Sequence, residues 1–374
     1  MCSTGSAATR RATCPSGSDH APGRTRPCAS EVTFSAAFPL ARAALFRLEP
    51  EAAHAATMRA LNAMAATGAI RLVAPRVPDD PRTVMGIRFP NPVGLAAGAD
   101  KNGECIEGFG ALGFGFLELG GVTPLGQPGN PRPRVFRLPR ARAVINRLGF
   151  NNLGVDHLVE RLRRTRYQGV IGVNLGKNLV TPLERAGDDY AICYDKLHAH
   201  VAFATINVSS PNTKNLRALQ DEDALAPILK RMKREQARLS DRDGRYVPLA
   251  IKIAPDLDSA QIETVARLAA RHRIDAITAT NTTVARDAVA GLPHAEETGG
   301  LSGAPVFEPS NRVIRELAAH LDGALPIIGV GGIMSGADAR AKIEAGASLV
   351  QFYTGLIYCG PALVAEAAAA LRAR

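Results

Sequence analysis

The chain has 374 residues, 46% hydrophobic and 21% charged, a mix that excludes a disordered chain and permits one large α/β domain or two smaller ones. Aromatics make up 5% and Trp is absent, so core volume has to come from Ala, Val, Leu and Ile. Lys plus Arg is 45 against 35 for Asp plus Glu, a net charge of +10 that leaves nucleic acid, an acidic membrane surface and an anionic substrate open as partners.

Residues 1–35 are rich in Ser, Ala, Pro, Thr and Arg and have no apolar stretch, which predicts a disordered extension rather than a secretory signal. Six cysteines at positions 2, 14, 28, 105, 193 and 359 form no CxxC and no close Cys/His cluster, so no metal site and reduced thiols are expected. Segment 36–70 carries two short helical patterns broken near Glu49 and Pro50. Leu40, Ala44, Leu45 and Leu48 share one stripe; Ala53, Met58, Leu61 and Met64 form a looser second one. Two readings are open, a cap packed on the main domain or an amphipathic hairpin that meets a membrane or an apolar ligand. No apolar run is long enough for a spanning helix.

From residue 80 to 374 the texture is periodic. Eight short apolar runs, at 92–98, 115–120, 170–176, 203–209, 249–255, 275–281, 326–332 and 348–355, alternate with helix-length segments. Near-continuous apolar strands separated by helices predict a parallel sheet covered on both faces. The segment "GLAAGADKNG" lacks the GxGxxG turn of an open nucleotide-binding sheet, so a closed (β/α)8 TIM barrel is the expected fold. Asp258 with Gln261, and Ser335 with Asp338, read as helix starts. Ten arginines between Arg132 and Arg166 predict an electropositive surface or the solvated faces of helices.

The C-terminal ends of barrel strands build active sites, and polar residues gather there: Asp100, Lys101, Asn174, Lys177, Asn207, Ser210, Thr280, Asn281 and Thr282. Lys252 interrupts the apolar run "AIKIAP" and is predicted to point into the lumen, because helix-packed neighbours leave no room for an ammonium outside. Glycines in "GVGGI" and "YTG" close strands seven and eight and fit a phosphate loop. A third cluster, "ETGGLSG" at 297–303, reads as a flexible cover over the barrel mouth.

Together the segments "GLAAGADKNGE", "NRLGFNNLG", "INVSSPNT", "IKIAPD", "ATNTT", "TGGLSG", "IIGVGGI" and "LVQFYTGL" resemble the quinone-dependent (class 2), membrane-associated dihydroorotate dehydrogenase family from about Phe38 to the C-terminus. That resemblance implies a flavin mononucleotide (FMN) held by Ala97, Gly98, Ala99, Asp100, Lys101, Gly121, Asn174, Asn207, Lys252, Thr280, Gly303, Gly332, Tyr353 and Thr354. At position 121 relatives carry Thr, so Gly121 removes one flavin contact. It implies dihydroorotate bound by Lys101, Asn146, Arg147, Leu148, Gly149, Phe150, Asn207, Asn212, Asn281 and Thr282. Ser210 takes the place of the catalytic base, where soluble relatives carry Cys. The implied reaction removes a proton from C5 of dihydroorotate at Ser210 while hydride leaves C6 for the flavin, giving orotate in pyrimidine biosynthesis. Lys252 would stabilise the reduced flavin. A membrane quinone then enters between the two N-terminal helices, with Arg137 at the inner end of its path. The same resemblance implies a monomer bound peripherally to anionic lipid on the cytoplasmic side of the cell membrane, with no nucleic-acid partner. The competing readings are another FMN barrel acting on a dihydropyrimidine or dihydrouridine, which normally uses Cys as its acid or base, and a basic nucleic-acid-binding module.

Overall fold

All eight apolar runs become strands of one closed parallel barrel in the computed structural model, which describes residues 38–72, 74–213 and 215–372. The expected extension at 1–35 lies outside the described residues. In chain order the barrel strands are β1 (Val93–Leu95), β2 (Phe116–Val122), β3 (Val170–Leu175), β4 (Phe203–Asn207), β5 (Leu249–Ile253), β6 (Ala276–Ala279), β7 (Ile327–Val330) and β8 (Leu349–Phe352). Each pairs with its sequence neighbours, and β8 pairs with β1 to close the ring. Every residue of β2, β4, β5, β6, β7 and β8 is buried, as a sheet packed on both faces requires.

Among the described residues two helices precede the barrel, α1 over 38–45 and α2 over Pro50–Thr67. The break falls where Pro50 occupies the first turn of α2 and Glu49 caps it, its carboxylate accepting from the Ala52 N–H at 2.9 Å. The outer helices run from α3 (Ile106–Gly110) through α4 (Val155–Arg164), α5 (Ala186–Leu197), α6 (Glu222–Asp243), α7 (Ser259–Arg271), α8 (Phe307–Leu321) and α9 (Gly336–Glu344) to α10 (Thr354–Cys359) and α11 (Ala362–Arg372). The two predicted starts hold: Asp258 and Gln261 form a capping box on α7, and Ser335 accepts from the Asp338 N–H at 3.1 Å on α9.

The lower end of the barrel is plugged. A short antiparallel hairpin, Arg82–Val84 with Ile87–Phe89, brings Phe89 against Phe116, which in turn packs on Phe203, with ring centroids 5.1 and 6.1 Å apart. Gly94 and Gly172 make room for them: an added Cβ would lie 2.3 Å from the Phe116 ring and 2.1 Å from the Phe203 ring.

Three expectations need correction. The "ETGGLSG" segment is no loose cover, because Gly300–Gly303 is a strand paired antiparallel with Ala143–Asn146, itself paired with Val135–Leu138. Its glycines serve close approach rather than mobility, since a Cβ on Gly300 would strike the Thr282 hydroxyl at 2.0 Å. The first predicted stripe also splits. Leu45 lines a cavity, whereas Leu40 and Leu48 face outward, 76% and 47% exposed. The second stripe packs inward as expected, with Ala53 and Met58 buried and Leu61 and Met64 against the core. Nor do the arginines of 132–166 form one free basic face. Arg132 and Arg134 pair with Glu51, Arg147 pairs with Glu297, and Arg161 donates to the Gly103 carbonyl. Arg137 stacks on Phe46 and donates to the Phe46 and Leu48 carbonyls.

Candidate active site

A cavity of about 850 Å³ runs from between α1 and α2 to the C-terminal mouth of the barrel. Phe38, Leu45, Met58 and Leu61 line its outer part, and Lys101, Asn207, Ser210 and Lys252 its inner part. Of the residues predicted for cofactor, substrate and catalysis, all but Arg147 line this one space. Arg147 turns away, its guanidinium 2.5 Å from the Glu297 carboxylate and stacked on Phe136. Lys177 also leaves the mouth, donating to the Asn178 and Thr181 carbonyls and so fastening the loop after β3.

The loop after β1 shapes one wall. Asp100 is buried, and that burial pushes its carboxyl upward, against the opposing effect of the Cys105 and Glu104 N–H groups that it accepts at 2.7 and 2.8 Å. It thus holds the loop in shape. Beside it the Lys101 ammonium donates to the Gly98 carbonyl at 3.0 Å. Burial, helped by Arg134, lowers Lys101 to about 8, although Glu51 and Asp100 pull the other way. A Cβ on Gly98 would meet nothing within 4 Å, which marks open space above this turn.

Beneath the cavity lies a layer of amides and charges. The Asn174 amide donates to one oxygen of Glu118 at 2.8 Å, and the Gln351 amide donates to the other at 2.6 Å. Asn207 donates to the Asn174 oxygen at 2.8 Å, and Asn281 donates to the Asn207 oxygen at 3.4 Å and to the Ser209 hydroxyl at 3.0 Å. Lys252 reaches this layer from β5 as expected, 5% exposed, with Glu118 as its charge partner and no hydrogen-bond acceptor for its ammonium among the described residues. Burial lowers its pKa, and Glu118 opposes the shift. Sequence reasoning missed Glu118 and Gln351. The rule that found Lys252, a polar residue inside an apolar barrel strand, finds both in "GFLELG" and "LVQFYTG".

The layer itself holds Asn207 and Asn281, and the other residues expected to contact substrate, Arg147 apart, line the same cavity. Ser210 is 8% exposed, and its hydroxyl accepts from the Asn212 N–H at 3.3 Å. Asn212 donates to the Asn146 oxygen at 2.9 Å, while its own side-chain oxygen is buried with no partner among the described residues. Phe150 takes a positive φ of 53°, next to Gly149 at 72°. Its ring occupies the place of a missing side chain, because a Cβ on Gly121 would lie 2.6 Å from it. The departure at Gly121 therefore has a packing counterpart: any side chain there has to displace Phe150.

Loops after β7 and β8 close the far end. Gly331 and Gly332 have φ of 120° and 77°, and a Cβ on Gly332 would lie 2.4 Å from the Phe307 backbone at the start of α8. Tyr353 follows β8, its phenol pushed up to about 12 by burial, with the His54 ring 6.5 Å away. Burial, with Lys101 nearby, holds His54 down at about 4, so its imidazole is neutral. Neither His54 nor Glu51 was legible as a site residue. Glu51 binds Arg134 through both oxygens, and Arg134 in turn donates to the Pro128 and Asn130 carbonyls. Asn130 donates to the Arg147 and Asn212 carbonyls, so α2 is tied to the loops that carry the substrate residues.

A (β/α)8 barrel whose strand ends pour amides, two lysines and a serine into one deep apolar-walled cavity has the architecture of a barrel enzyme with its active site at the C-terminal mouth. The family model described as dihydroorotate dehydrogenase matches residues 81–374. Similar proteins include "Dihydroorotate dehydrogenase (quinone)" of Paraburkholderia phymatum, 60% identical over 341 residues, which are 91% of this chain and 99% of that protein. The protein of the same name from Burkholderia thailandensis is 60% identical over 90% of this chain and 98% of its own length. Among solved structures, DHODH from Eimeria tenella in complex with ferulenol superposes with a TM-score of 0.79 at 37% identity, covering 86% of this chain and 90% of that one. The chain belongs to the dihydroorotate dehydrogenase family. Among the described residues no helix is long and apolar enough to cross a membrane, and no group of three or more His, Cys, Asp or Glu could hold a metal ion.

Proposed function

We propose that this chain oxidises dihydroorotate to orotate in pyrimidine biosynthesis, with FMN bound in the barrel mouth and a membrane quinone as final electron acceptor. The observation that carries the reading is one cavity that joins Ser210, Lys101, the Asn cluster and Lys252 to a space lined by the two N-terminal helices. The residues present fit a flavin. The Lys252 ammonium has no hydrogen-bond acceptor of its own among the described residues and suits the electron-rich edge of an isoalloxazine. The open turn at Gly98 and the glycine pair at 331–332 leave backbone free for a ring and a phosphate. FMN, when bound, supplies the hydride acceptor.

Ala97, Gly98, Ala99, Asp100, Lys101, Asn174, Asn207, Lys252, Thr280, Gly303, Gly332, Tyr353 and Thr354 are the proposed cofactor contacts. Gly121 offers only backbone. On the substrate side, Lys101 neutralises the dihydroorotate carboxylate, and Asn146, Asn207, Asn212, Asn281 and Thr282 orient the ring through paired donors and acceptors. The unpartnered oxygen of Asn212 is an acceptor suited to a ring N–H. Leu148, Gly149 and Phe150 wall the substrate off from water, whereas Arg147 contributes through the Glu297 pair that fixes the same loop. Ser210 takes the C5 proton. Segment 36–70 is the quinone-access hairpin, bound as part of a monomer to anionic lipid on the cytoplasmic side of the membrane. Arg42 and Arg137 clamp it to the barrel through the Tyr358, Phe46 and Leu48 carbonyls.

The test is anaerobic addition of dihydroorotate to the purified protein, followed by ubiquinone, menaquinone, fumarate or NAD. Flavin absorbance that bleaches with dihydroorotate and returns only with a quinone is expected. Recovery with fumarate or NAD would overturn the acceptor, and no bleaching would overturn the substrate.

The Lys101 charge sets a pH dependence. Below about 8 its ammonium is present and offsets the substrate carboxylate; above that value the ammonium is lost and the anion meets a neutral amine. The kcat/KM for dihydroorotate is therefore expected to fall by about tenfold per pH unit on the alkaline side. A profile flat to pH 10 would contradict the assignment.

A further inference from the structure

Glu118 lies outside the cavity lining, yet its geometry governs what the cavity presents. It sits in β2, fully buried, and an N–H donor meets each carboxylate oxygen, from Asn174 at 2.8 Å and Gln351 at 2.6 Å. An ionised carboxylate accepts and never donates. Asn174 must therefore turn its NH2 downward and its oxygen toward Asn207, which then has to answer with its own NH2, at 2.8 Å. That leaves the Asn207 oxygen pointing along the rim, where it receives the Ser209 N–H at 3.2 Å and the Asn281 NH2 at 3.4 Å. Three amides in series thus share one direction, and the acceptor at their foot sets it. Gln351 gives its N–H to the same carboxylate, and its own oxygen is left buried with no partner among the described residues. Lys252, in the adjoining part of the lumen, has Glu118 as its opposite charge.

We propose that Glu118 is a positioning residue for the reaction: it fixes the donor and acceptor polarity of the Asn174, Asn207 and Asn281 relay, and it is the counter-charge of Lys252. This rests on the flavin and dihydroorotate reading above. An amide in place of the carboxylate puts one N–H against another, so either Asn174 or Gln351 has to flip. A flip of Asn174 reverses the relay, a flip of Gln351 leaves it in place, and in either case loss of the negative charge leaves Lys252 without its counter-charge.

The experiment uses the full-length holoenzyme as wild type, as E118Q and as the swap E118Q/Q351E. In E118Q the KM for dihydroorotate is expected to rise roughly tenfold or more, the size of a lost charge-assisted hydrogen bond. The reduction potential of the bound flavin moves to more positive values. The swap keeps one carboxylate in the pair. The amide now at position 118 can accept from Asn174 while donating to the carboxylate now at position 351, so both quantities return toward wild type. E118Q with unchanged KM and potential, even with a lowered Tm, overturns the proposal. So does a folded swap variant as impaired as E118Q. Failure of both variants to fold would place Glu118 in the service of the fold and overturn it as well. Wild-type flavin that dihydroorotate does not reduce would defeat the parent reading, whereas normal wild-type reduction beside a wild-type-like E118Q defeats only this one.

Discussion

Ser210→Ala is expected to slow reduction of the bound flavin by dihydroorotate by about 100-fold or more while flavin occupancy stays full. The magnitude follows from the role and the surroundings. A serine hydroxyl is a weak base, and among the described residues it accepts only from the Asn212 N–H, so its effect comes from where it stands rather than from an activating carboxylate or imidazole. The neighbouring Ser209 hydroxyl is not placed to replace it, being turned to the Asn207 oxygen and receiving the Asn281 amide. Occupancy should survive because the Glu118, Asn174 and Lys252 layer does not depend on the Ser210 side chain. Stopped-flow bleaching in single turnover measures this directly, and near-normal reduction in the alanine variant would remove Ser210 from the chemistry.

The second large effect concerns the N-terminal helices. Removing residues 1–66 is expected to abolish quinone turnover and liposome binding, because α1 and most of α2 wall the outer half of the cavity. Because the expected substrate residues all lie on the barrel, the dihydroorotate half-reaction would be expected to survive this cut. The structure changes that expectation. Glu51 of α2 is the carboxylate for Arg134, whose side chain is 6% exposed and holds the loop at 128–130 against Arg147 and Asn212. Breaking such a pair from one side costs about 3 kcal/mol, and the loosened loop carries the substrate contacts. Flavin reduction should accordingly slow by about tenfold or more in the long truncation. Glu51→Ala alone should reproduce that loss while quinone still reoxidises the pre-reduced flavin at the normal rate, and removal of 1–35 should leave both halves unchanged. Stopped-flow flavin reduction beside stopped-flow reoxidation by quinone separates the cases. Full flavin reduction in both the long truncation and Glu51→Ala would show that α2 acts on the quinone side alone.

Much of this was legible from the chain because burial on both faces of a strand leaves a plain mark. The eight apolar runs and the rim polars Asn174, Asn207 and Asn281 stand out for that reason, and the capping box at Asp258 and the N-cap at Ser335 are local chemistry. What stayed hidden depends on contacts distant in sequence. Arg147 sits beside genuine cavity residues, and only the fold reveals that Glu297 and Phe136 draw it away. The strand at Gly300–Gly303 is glycine-rich, so its partner 154 residues earlier could not be inferred from propensity. The outward turn of Leu40 and Leu48 reflects the side of α1 that Arg42 and Phe46 fasten to Tyr358.

The phenylalanine plug at the lower end of the barrel bears on electrostatics as much as on packing. Phe89, Phe116 and Phe203 form a dry slab under the charged layer, and Gly94 and Gly172 let the rings close without gaps. Water below Lys252 and Glu118 would screen their field with its high dielectric constant; hydrocarbon does not. The slab therefore acts as an insulator, and the potential made by these charges and the amide dipoles is directed upward, into the cavity where the reaction takes place.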